Sequence, residues 1–479
     1  MRRLPLLLLL TLVGLTATAA SPAAGTSPRK TDRYQAPYAY ASITQLHQAM
    51  QDGKLTSVQL VKAAIRRIHA LDPHGPDLHA VIELNPDALT IARQLDRERA
   101  QGKAHGLLWG IPILLKDNID TGDRMLTTAG SLALMGAPAP RDASFVAKLR
   151  AAGMVILGKA NLSEWANYRG NHSIAGWSGR GGLTRNPYVL DRTACGSSSG
   201  SAVSVSVGYV PVAIGTETDG SIMCPSSMNG VVGIKPSVGL VSRTGVIPVS
   251  HAQDTAGPMA RDVRDAAILL TAMAGSDPRD PATIHADRHA TDYTRFLLPN
   301  GLKGQRIGVV RALSGYQAGT DKLFDQAIAA MRAAGAIIID PVVIPHLHAF
   351  DKDENIALSY EFKHDINAYL ATRPGVKEKN LAELIVFNRK HAKQEMPWFG
   401  QQLFIAAEQR GPLTDPAYIK ARTEAQRLAG PEGIDAALNQ YHLDALVAPT
   451  TAPAWVVDPV DGGHWLGGSA GEAAVAGYP

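Results

Sequence analysis

Residues 194–225 place two polar turns on either side of one short apolar run, and this stretch constrains the fold more than any other part of the sequence. The first turn, residues 196–201, contains only glycine and serine, the run at residues 210–214 is apolar, and the second turn lies at residues 216–221. Serine and glycine add little hydrophobic driving force, and glycine costs conformational entropy when it is ordered. Such turns instead offer backbone N–H groups that can converge on an anion and hydroxyls that can attack a carbon atom. The stretch therefore predicts a reactive site at two turns that flank a buried segment.

Helical and strand patterns alternate along most of the remaining chain. Capping boxes that begin at Ser42 and Thr56 predict two helix starts. Further helices are predicted at residues 142–152, 262–274, 321–334, 354–371, 380–392 and 416–428, and strands at residues 154–157, 306–310, 337–339 and 443–448. This alternation predicts an α/β fold, a single large α/β/α domain whose central mixed β-sheet is covered by helices.

The first residues have the pattern of a secretory signal peptide, which we expect to span residues 1–20. A short basic head is followed by an apolar segment and by an A-x-A cleavage pattern. The apolar segment is too short to span a bilayer, and a buried N-terminal helix is the alternative. Residues 21–37 are rich in proline, alanine and serine and are predicted to form a flexible leader. We therefore expect a secreted or periplasmic protein whose folded domain covers residues 38–479.

Composition and charge argue against several classes of protein. The net charge of +4 is small for 479 residues and no basic cluster stands out, which argues against a nucleic-acid partner. After the predicted signal peptide, no segment is apolar over a length that would form a membrane helix. Two cysteines without a C-x-x-C pair, and 15 scattered histidines without an H-E-x-x-H motif, predict no metal site.

Two short motifs match reactions that their surroundings do not support. Residues 153–159 have the spacing of a phosphate-binding loop, but Ala160 follows where a hydroxyl residue would bind magnesium. Residues 196–200 match the G-x-S-x-G turn of α/β-hydrolases, with Ser198 as the nucleophile. That turn must follow a strand, whereas residues 185–195 are mostly polar. Both interpretations are therefore disfavoured.

Several motifs, in the right order, resemble those of the amidase signature family. They are the lysine-bearing segment 110–117, the segment 158–164, the glycine- and serine-rich turn at 196–201 with Asp219-Gly220-Ser221 after it, and the segment 230–236. The resemblance covers most of the chain from about residue 40 and implies an amidase domain over residues 38–479 that needs no cofactor. Within the family, residues 217–221 are most similar to those of bacterial peptide amidases.

The resemblance implies a catalytic triad of Ser221, Ser197 and Lys116. Ser221 is the nucleophile, Ser197 relays its proton and carries a cis peptide bond, and Lys116 is the terminal base. Free lysine has a pKa of about 10.4, so this role requires a pKa lowered by about 3 units, or about 4 kcal/mol. Burial of Lys116 at the end of the apolar segment 111–115 can lower its pKa in this way.

The resemblance also places an oxyanion hole at the backbone N–H groups of Thr218, Asp219, Gly220 and Ser221. Asp219 stands where many members of the family have glycine, and Met223 stands where many have arginine. An added carboxylate and a missing cation favour a neutral carboxamide over the half-amide of a diacid. We therefore predict that the enzyme deamidates a C-terminal peptide amide and releases ammonia.

Several alternatives stay open at this point. Another linear-amide amidase and the glutaminase subunit of an amidotransferase share the motifs, and a non-catalytic periplasmic binding protein could keep the same fold. Substrate-binding residues and the oligomeric state are not predicted. Cys195 and Cys224 flank the two turns that the family brings together, so they form either a disulfide or two buried thiols. In relatives the A-G-x-P segment at residues 476–479 leads into further strands, and we expect the sheet to lack them.

Overall fold

The computed structural model describes residues 37–479, so the predicted signal peptide and nearly all of the predicted leader lie outside the described residues. The helices are α1 (Ile43–Gln51), α2 (Ser57–Leu71), α3 (Ala88–Ala100), α4 (Ser144–Ala151), α5 (Ser199–Ser206), α6 (Met223–Met228), α7 (Val263–Met273), α8 (Ala318–Ala333), α9 (Asp351–Ala371), α10 (Leu381–Lys390), α11 (Ala392–Glu395), α12 (Gln402–Glu408), α13 (Pro416–Ala429), α14 (Asp435–Tyr441) and α15 (Gly471–Ala476). The strands are β1 (Val81–Leu84), β2 (Pro112–Lys116), β3 (Val155–Ala160), β4 (Trp177–Ser178), β5 (Gly182–Leu183), β6 (Val212–Glu217), β7 (Val232–Gly233), β8 (Thr255–Ala260), β9 (Arg306–Val309), β10 (Ile337–Ile339) and β11 (Ala445–Val447).

The central sheet has six strands in the order β1-β3-β2-β6-β8-β7. Strands β3, β2 and β6 run parallel to one another, while β1, β8 and β7 pair antiparallel with their neighbours. Every residue of β2, β3, β6 and β8 is buried, as expected for strands that are covered on both faces. The prediction of an α/β fold with a central mixed sheet is therefore confirmed.

Alternate residues of β2 belong to two separate cores. Ile113 and Leu115 pack in a core shared with α1, α4 and α7, whereas Leu114 packs in a core shared with α2, α3 and α5. This alternation is the period of two that a β-strand imposes. It places Lys116 on the same face as Leu114, the face that α5 covers. Helix α5 begins within the glycine- and serine-rich turn, so the fold brings the lysine and that turn to one place.

Local sequence signals determine where the helices begin. The side chains of Ser42 and Thr56 each accept a hydrogen bond from a backbone N–H group in the first turn, and both predicted capping boxes are confirmed. Helix α8 begins at Ala318 rather than at the start of the predicted range 321–334. The Gln317 side chain accepts a backbone hydrogen bond there and so caps the helix one turn earlier.

Three further strands form a second, parallel sheet in the order β10-β9-β11. They correspond to the strands predicted at residues 306–310, 337–339 and 443–448, although the sequence pattern does not separate them from the central sheet. A two-stranded ribbon of β4 and β5 is the third sheet of the described residues. Within residues 37–479, no helix combines the length and the apolar character that crossing a membrane requires.

Candidate active site

Lys116 is the last residue of β2, which lies beside β6 in the parallel part of the central sheet. The carboxyl ends of parallel strands open to one edge of a sheet, where α/β folds place their ligand sites. Lys116 Nζ lies 2.9 Å from Thr216 Oγ1 and 3.0 Å from the Thr216 carbonyl oxygen of β6. The same Nζ lies 2.6 Å from Ser197 Oγ. The Lys116 amine therefore links the ends of β2 and β6 to the first turn through hydrogen bonds.

Burial controls the protonation of Lys116. The side chain is fully buried, and this burial lowers the pKa of its ammonium group to about 7. The negative charges of Asp254 and Glu217 oppose the shift because they favour the cation. A large fraction of the amine is therefore neutral at neutral pH, when it can accept a proton from the Ser197 hydroxyl.

Close packing explains why the first turn is built from small residues. A Cβ atom on Gly196 would lie 2.1 Å from Ser163 Oγ, and one on Gly200 would lie 2.2 Å from the Ala80 carbonyl oxygen. Neither distance leaves room for a side chain. The peptide bond between Gly196 and Ser197 is cis, as the family resemblance implies.

Ser198 has a structural place in this turn. Its Oγ donates a hydrogen bond to the Thr216 carbonyl at 3.1 Å and accepts one from the Thr216 N–H at 3.2 Å. The hydroxyl is fully buried and holds the turn against β6. Only isolated bridges, such as that of Arg185 with Thr193, lie just ahead of the turn. The nucleophile-elbow interpretation of Ser198 is therefore not supported.

The second turn begins in the last two residues of β6 and lies against the first turn. The Ser221 carbonyl accepts a hydrogen bond from the Ser198 N–H at 3.1 Å, which places Ser221 beside the residue that follows Ser197. Gly220 has a φ of 74°, a conformation that favours glycine. Of the three residues in the predicted triad, Lys116 and Ser197 are in direct contact, and Ser221 is brought next to them by this backbone hydrogen bond.

The second turn also presents unpaired backbone donors. Within residues 37–479, no acceptor pairs with the N–H groups of Thr218, Asp219, Gly220 and Ser221. The next two N–H groups, of Ile222 and Met223, donate to Glu217 Oε2 at 2.6 and 3.0 Å. Because unpaired backbone donors cost free energy unless water or a ligand accepts from them, the turn is suited to hold a developing oxyanion.

Three residues that support the site carry no recognisable signal in the sequence. Thr216 contacts the lysine, and Asn118 Nδ2 donates to Thr216 Oγ1 at 2.9 Å. Asp254 accepts a hydrogen bond from Thr218 Oγ1 at 2.6 Å, and burial raises its pKa to about 6. Asn118 lies two residues beyond the lysine and could be suspected from that spacing. Asp254 is distant in sequence, so only the tertiary structure shows its contact with the second turn.

Carboxylates crowd one side of the second turn. Burial, followed by the charges of neighbouring carboxylates, raises the pKa of Asp219 well above its usual range. The Asp219 side chain is nevertheless accessible to solvent. Glu354 of α9 and Glu472 of α15 are among the neighbouring carboxylates, and both are buried. Burial raises the pKa of Glu354 to about 7. This side of the site is therefore acidic.

Cys195 and Cys224 form a disulfide, with their Cα atoms 5.9 Å apart. This answers the question that the sequence left open between a bridge and two buried thiols. The bond ties the residue before the first turn to α6, which begins just after the second turn. It therefore links the two segments that carry Ser197 and Ser221.

Comparison with known proteins agrees with this architecture. A sequence model of the Amidase family matches residues 59–463. The structure of native peptide amidase from Stenotrophomonas maltophilia superposes with a TM-score of 0.88 at 53% identity, over 92% of this chain and 89% of the other. A probable amidase of Arabidopsis thaliana is 44% identical over 418 residues, which are 85% of this chain and 79% of that protein. One subunit of the glutamyl-tRNA(Gln) amidotransferase of Chloroflexus aurantiacus is 40% identical over 310 residues, which are 64% of this chain and 61% of that protein.

These matches define an amide-hydrolysing enzyme on an α/β fold. The chain belongs to the amidase signature family. The non-catalytic binding protein that the sequence alone left open is not supported.

Proposed function

We propose that this enzyme is a peptide amidase that hydrolyses C-terminal carboxamides and releases ammonia, with Ser221, Ser197 and Lys116 as its catalytic groups. One observation carries the proposal. A fully buried lysine with a pKa of about 7 lies 2.6 Å from Ser197 Oγ, in the turn next to Ser221. A surface lysine would stay protonated at neutral pH and could not act as a base.

In the proposed reaction, the neutral Lys116 amine accepts the Ser197 proton while Ser197 accepts the proton of Ser221. The Ser221 oxygen then attacks the carboxamide carbon, and the carbonyl oxygen becomes an oxyanion held by the unpaired N–H groups of the second turn. The proton returns through Ser197 to the nitrogen, the C–N bond breaks, and ammonia leaves. A water molecule then attacks the carbonyl carbon of the ester on Ser221 and passes a proton along the same path to Lys116. The ester C–O bond breaks, the Ser221 oxygen takes the proton back through Ser197, and the carboxylic acid leaves.

The acidic side of the site supports a neutral substrate. The burial and crowding that raise the pKa values of Asp219, Glu354 and Glu472 also disfavour a further negative charge close to the reacting carbon, such as the free carboxylate of a diacid half-amide. The peptide amidase relative, 53% identical over most of both chains, supports a peptide amide among neutral substrates. The glutaminase of an amidotransferase is the weaker candidate, because such subunits are 40% identical over 64% of this chain or 34% identical over 86% of it, whereas the peptide amidase is 53% identical over 92%. Another linear-amide amidase would share the chemistry and differ only in substrate profile.

We further propose that the enzyme is exported to the periplasm or secreted. The signal-peptide pattern at residues 1–20 supports export. The Cys195–Cys224 disulfide is also typical of proteins in oxidising compartments.

Ammonia release from a panel of peptide amides tests the proposed catalytic groups. We expect Ser221→Ala and Lys116→Met each to lower kcat by at least about three orders of magnitude. When catalytic residues act as one unit, removing a single residue costs about as much activity as removing all of them. Ser206→Ala is the matched control, because Ser206 ends α5 and lies outside the two turns. Comparable activity in the Ser221→Ala and Ser206→Ala enzymes would overturn the assignment.

A further inference from the structure

A group of three side chains outside the catalytic turns has the composition of a metal site. Asp365 of α9 lies between two histidines, with its Oδ2 2.9 Å from His251 Nδ1 and its Oδ1 2.8 Å from His364 Nδ1. One nitrogen or oxygen atom from each residue lies within 4.8 Å of the other two. Both histidines are exposed and Asp365 is buried. The group therefore lies at the protein surface, with a buried carboxylate beneath the two imidazole rings.

Two imidazoles and one carboxylate are the ligands that Zn²⁺ and similar divalent transition ions prefer. Zn²⁺ binds these atoms at about 2.0–2.2 Å, so the two ring nitrogens must move closer together before both can ligate one ion. The exposed histidine rings can rotate to do this. Asp365 is held in place, since its Oδ2 also accepts the His251 backbone N–H at 2.7 Å.

Both carboxylates and arginines lie near the group, and the charge of Arg243 acts against a cation at His251. Glu361 Oε1 lies 4.0 Å from His251 Nε2 and supplies a second, buried carboxylate. Arg243 donates to the His251 carbonyl, and its guanidinium is paired with Asp280. A second arginine, Arg422, lies 3.7 Å from Glu361.

We infer that His251, His364 and Asp365 bind one divalent transition ion, with water completing its coordination. The site is separate from the hydrolytic centre and supplies nothing to the proposed reaction. His251 nevertheless lies in the loop before β8 that supports the second turn. Ser250 and Val249 donate their N–H groups to Asp254 Oδ2, and Asp254 Oδ1 accepts the Thr218 hydroxyl. A bound ion would therefore fix the loop that supports the second turn from behind.

Titration of the metal-free, tag-free enzyme with Zn²⁺ in a calorimeter tests this inference without reference to amide hydrolysis. We expect one saturable site in the wild type and an affinity at least about tenfold lower in His364→Gln, because one ligand is lost. His251→Gln should give the same result if His364→Gln folds poorly. His285→Gln is the matched control, since His285 is an exposed histidine outside the group.

Thermal melting supplies a second readout. Because an ion that binds only the folded enzyme stabilises it, Zn²⁺ should raise the Tm of the wild type and of His285→Gln but not that of His364→Gln. The inference is overturned if the wild type binds no Zn²⁺. It is also overturned if both ligand variants bind Zn²⁺ as tightly as the control does.

Discussion

At the residue scale, the proposed chemistry depends on side chains whose burial brings their pKa values close to neutrality. Burial lowers the pKa of Lys116 to about 7, whereas burial raises that of Asp254 to about 6 and that of Glu354 to about 7. The two directions share one cause, because a low-dielectric environment disfavours whichever form is charged. The lysine gains a neutral amine that can act as a base, and the carboxyls beside the second turn become partly neutral.

Replacing Asp219 by asparagine should widen the range of substrates. Asp219→Asn removes an accessible, ionisable carboxyl group from the second turn without changing its size. We expect kcat/KM for the half-amide of a diacid to rise about tenfold relative to that for a neutral peptide amide, a change of about 1.4 kcal/mol. Competition assays with both substrates measure this ratio.

Asp325→Asn is the matched control, since Asp325 is an exposed carboxylate on α8. An unchanged ratio in Asp219→Asn would show that this carboxylate does not contribute to substrate selection.

At the scale of the elements, the site is held together by contacts between segments far apart in the chain. The disulfide joins Cys195 to Cys224 across a sequence separation of 29, and α9 and α15 supply the acidic side chains beside the second turn. None of these contacts lies within one strand or one helix. The positions of the two turns therefore depend on the assembled sheet.

Reduction of the Cys195–Cys224 disulfide should destabilise the enzyme. A disulfide that closes a loop of this length restricts the conformations of the unfolded chain. In the chain-entropy description, losing the bond lowers the free energy of unfolding by about 3–4 kcal/mol. We expect a reductant to lower the denaturant midpoint of the wild type, with thiol counting to verify reduction. A Cys195→Ser, Cys224→Ser double variant should unfold at the lower midpoint with or without reductant. An unchanged wild-type midpoint after full reduction would contradict this expectation.

The sequence predicts those parts of the site that rest on local pattern. The apolar run before Lys116 predicts a buried strand end, and the small residues at 196–201 predict a tight turn. The structure bears out both, with Lys116 buried at the end of β2 and no room for side chains at Gly196. The catalytic roles of the residues remain predictions.

Other parts of the site depend on tertiary contacts that no local pattern encodes. Asp254 supports Thr218 only because the loop before β8 folds back onto the second turn. Glu472 reaches the same region from α15, near the end of the chain. For the same reason, the strand pattern near residues 306–310 does not reveal that β9 belongs to a separate sheet.

At the scale of the whole molecule, one folded unit carries the central sheet, the second sheet and both turns. The described residues 37–479 belong to this unit, and the family match at 59–463 lies within it. The start of α1 is hydrogen-bonded to α7, because the Ile43 N–H donates to both carboxylate oxygens of Asp265, at 3.1 and 3.0 Å.

The proposed export is tested by the mass of the mature enzyme. Expressed from its full sequence in a bacterial host, the protein should be recovered outside the cytoplasm and should lack the predicted signal peptide, residues 1–20. Cell fractionation shows where the protein is found, and intact mass spectrometry of each fraction shows whether residues 1–20 have been removed. An active, cytoplasmic enzyme that still begins at Met1 would refute export and would favour the glutaminase alternative.

The central claim is that a buried, neutral lysine drives the reaction, and the pH dependence of kcat tests it most directly. The substrate should be a peptide amide with no ionisable group near the scissile bond. Since the amine must be unprotonated, kcat should rise with pH through an inflection near 7 and fall about tenfold per unit well below it. Glu354→Gln controls for the nearby carboxyl whose pKa is also about 7, and it should keep the inflection. A kcat that stays constant from about pH 5 to 9, or an inflection that disappears in Glu354→Gln, would contradict the account.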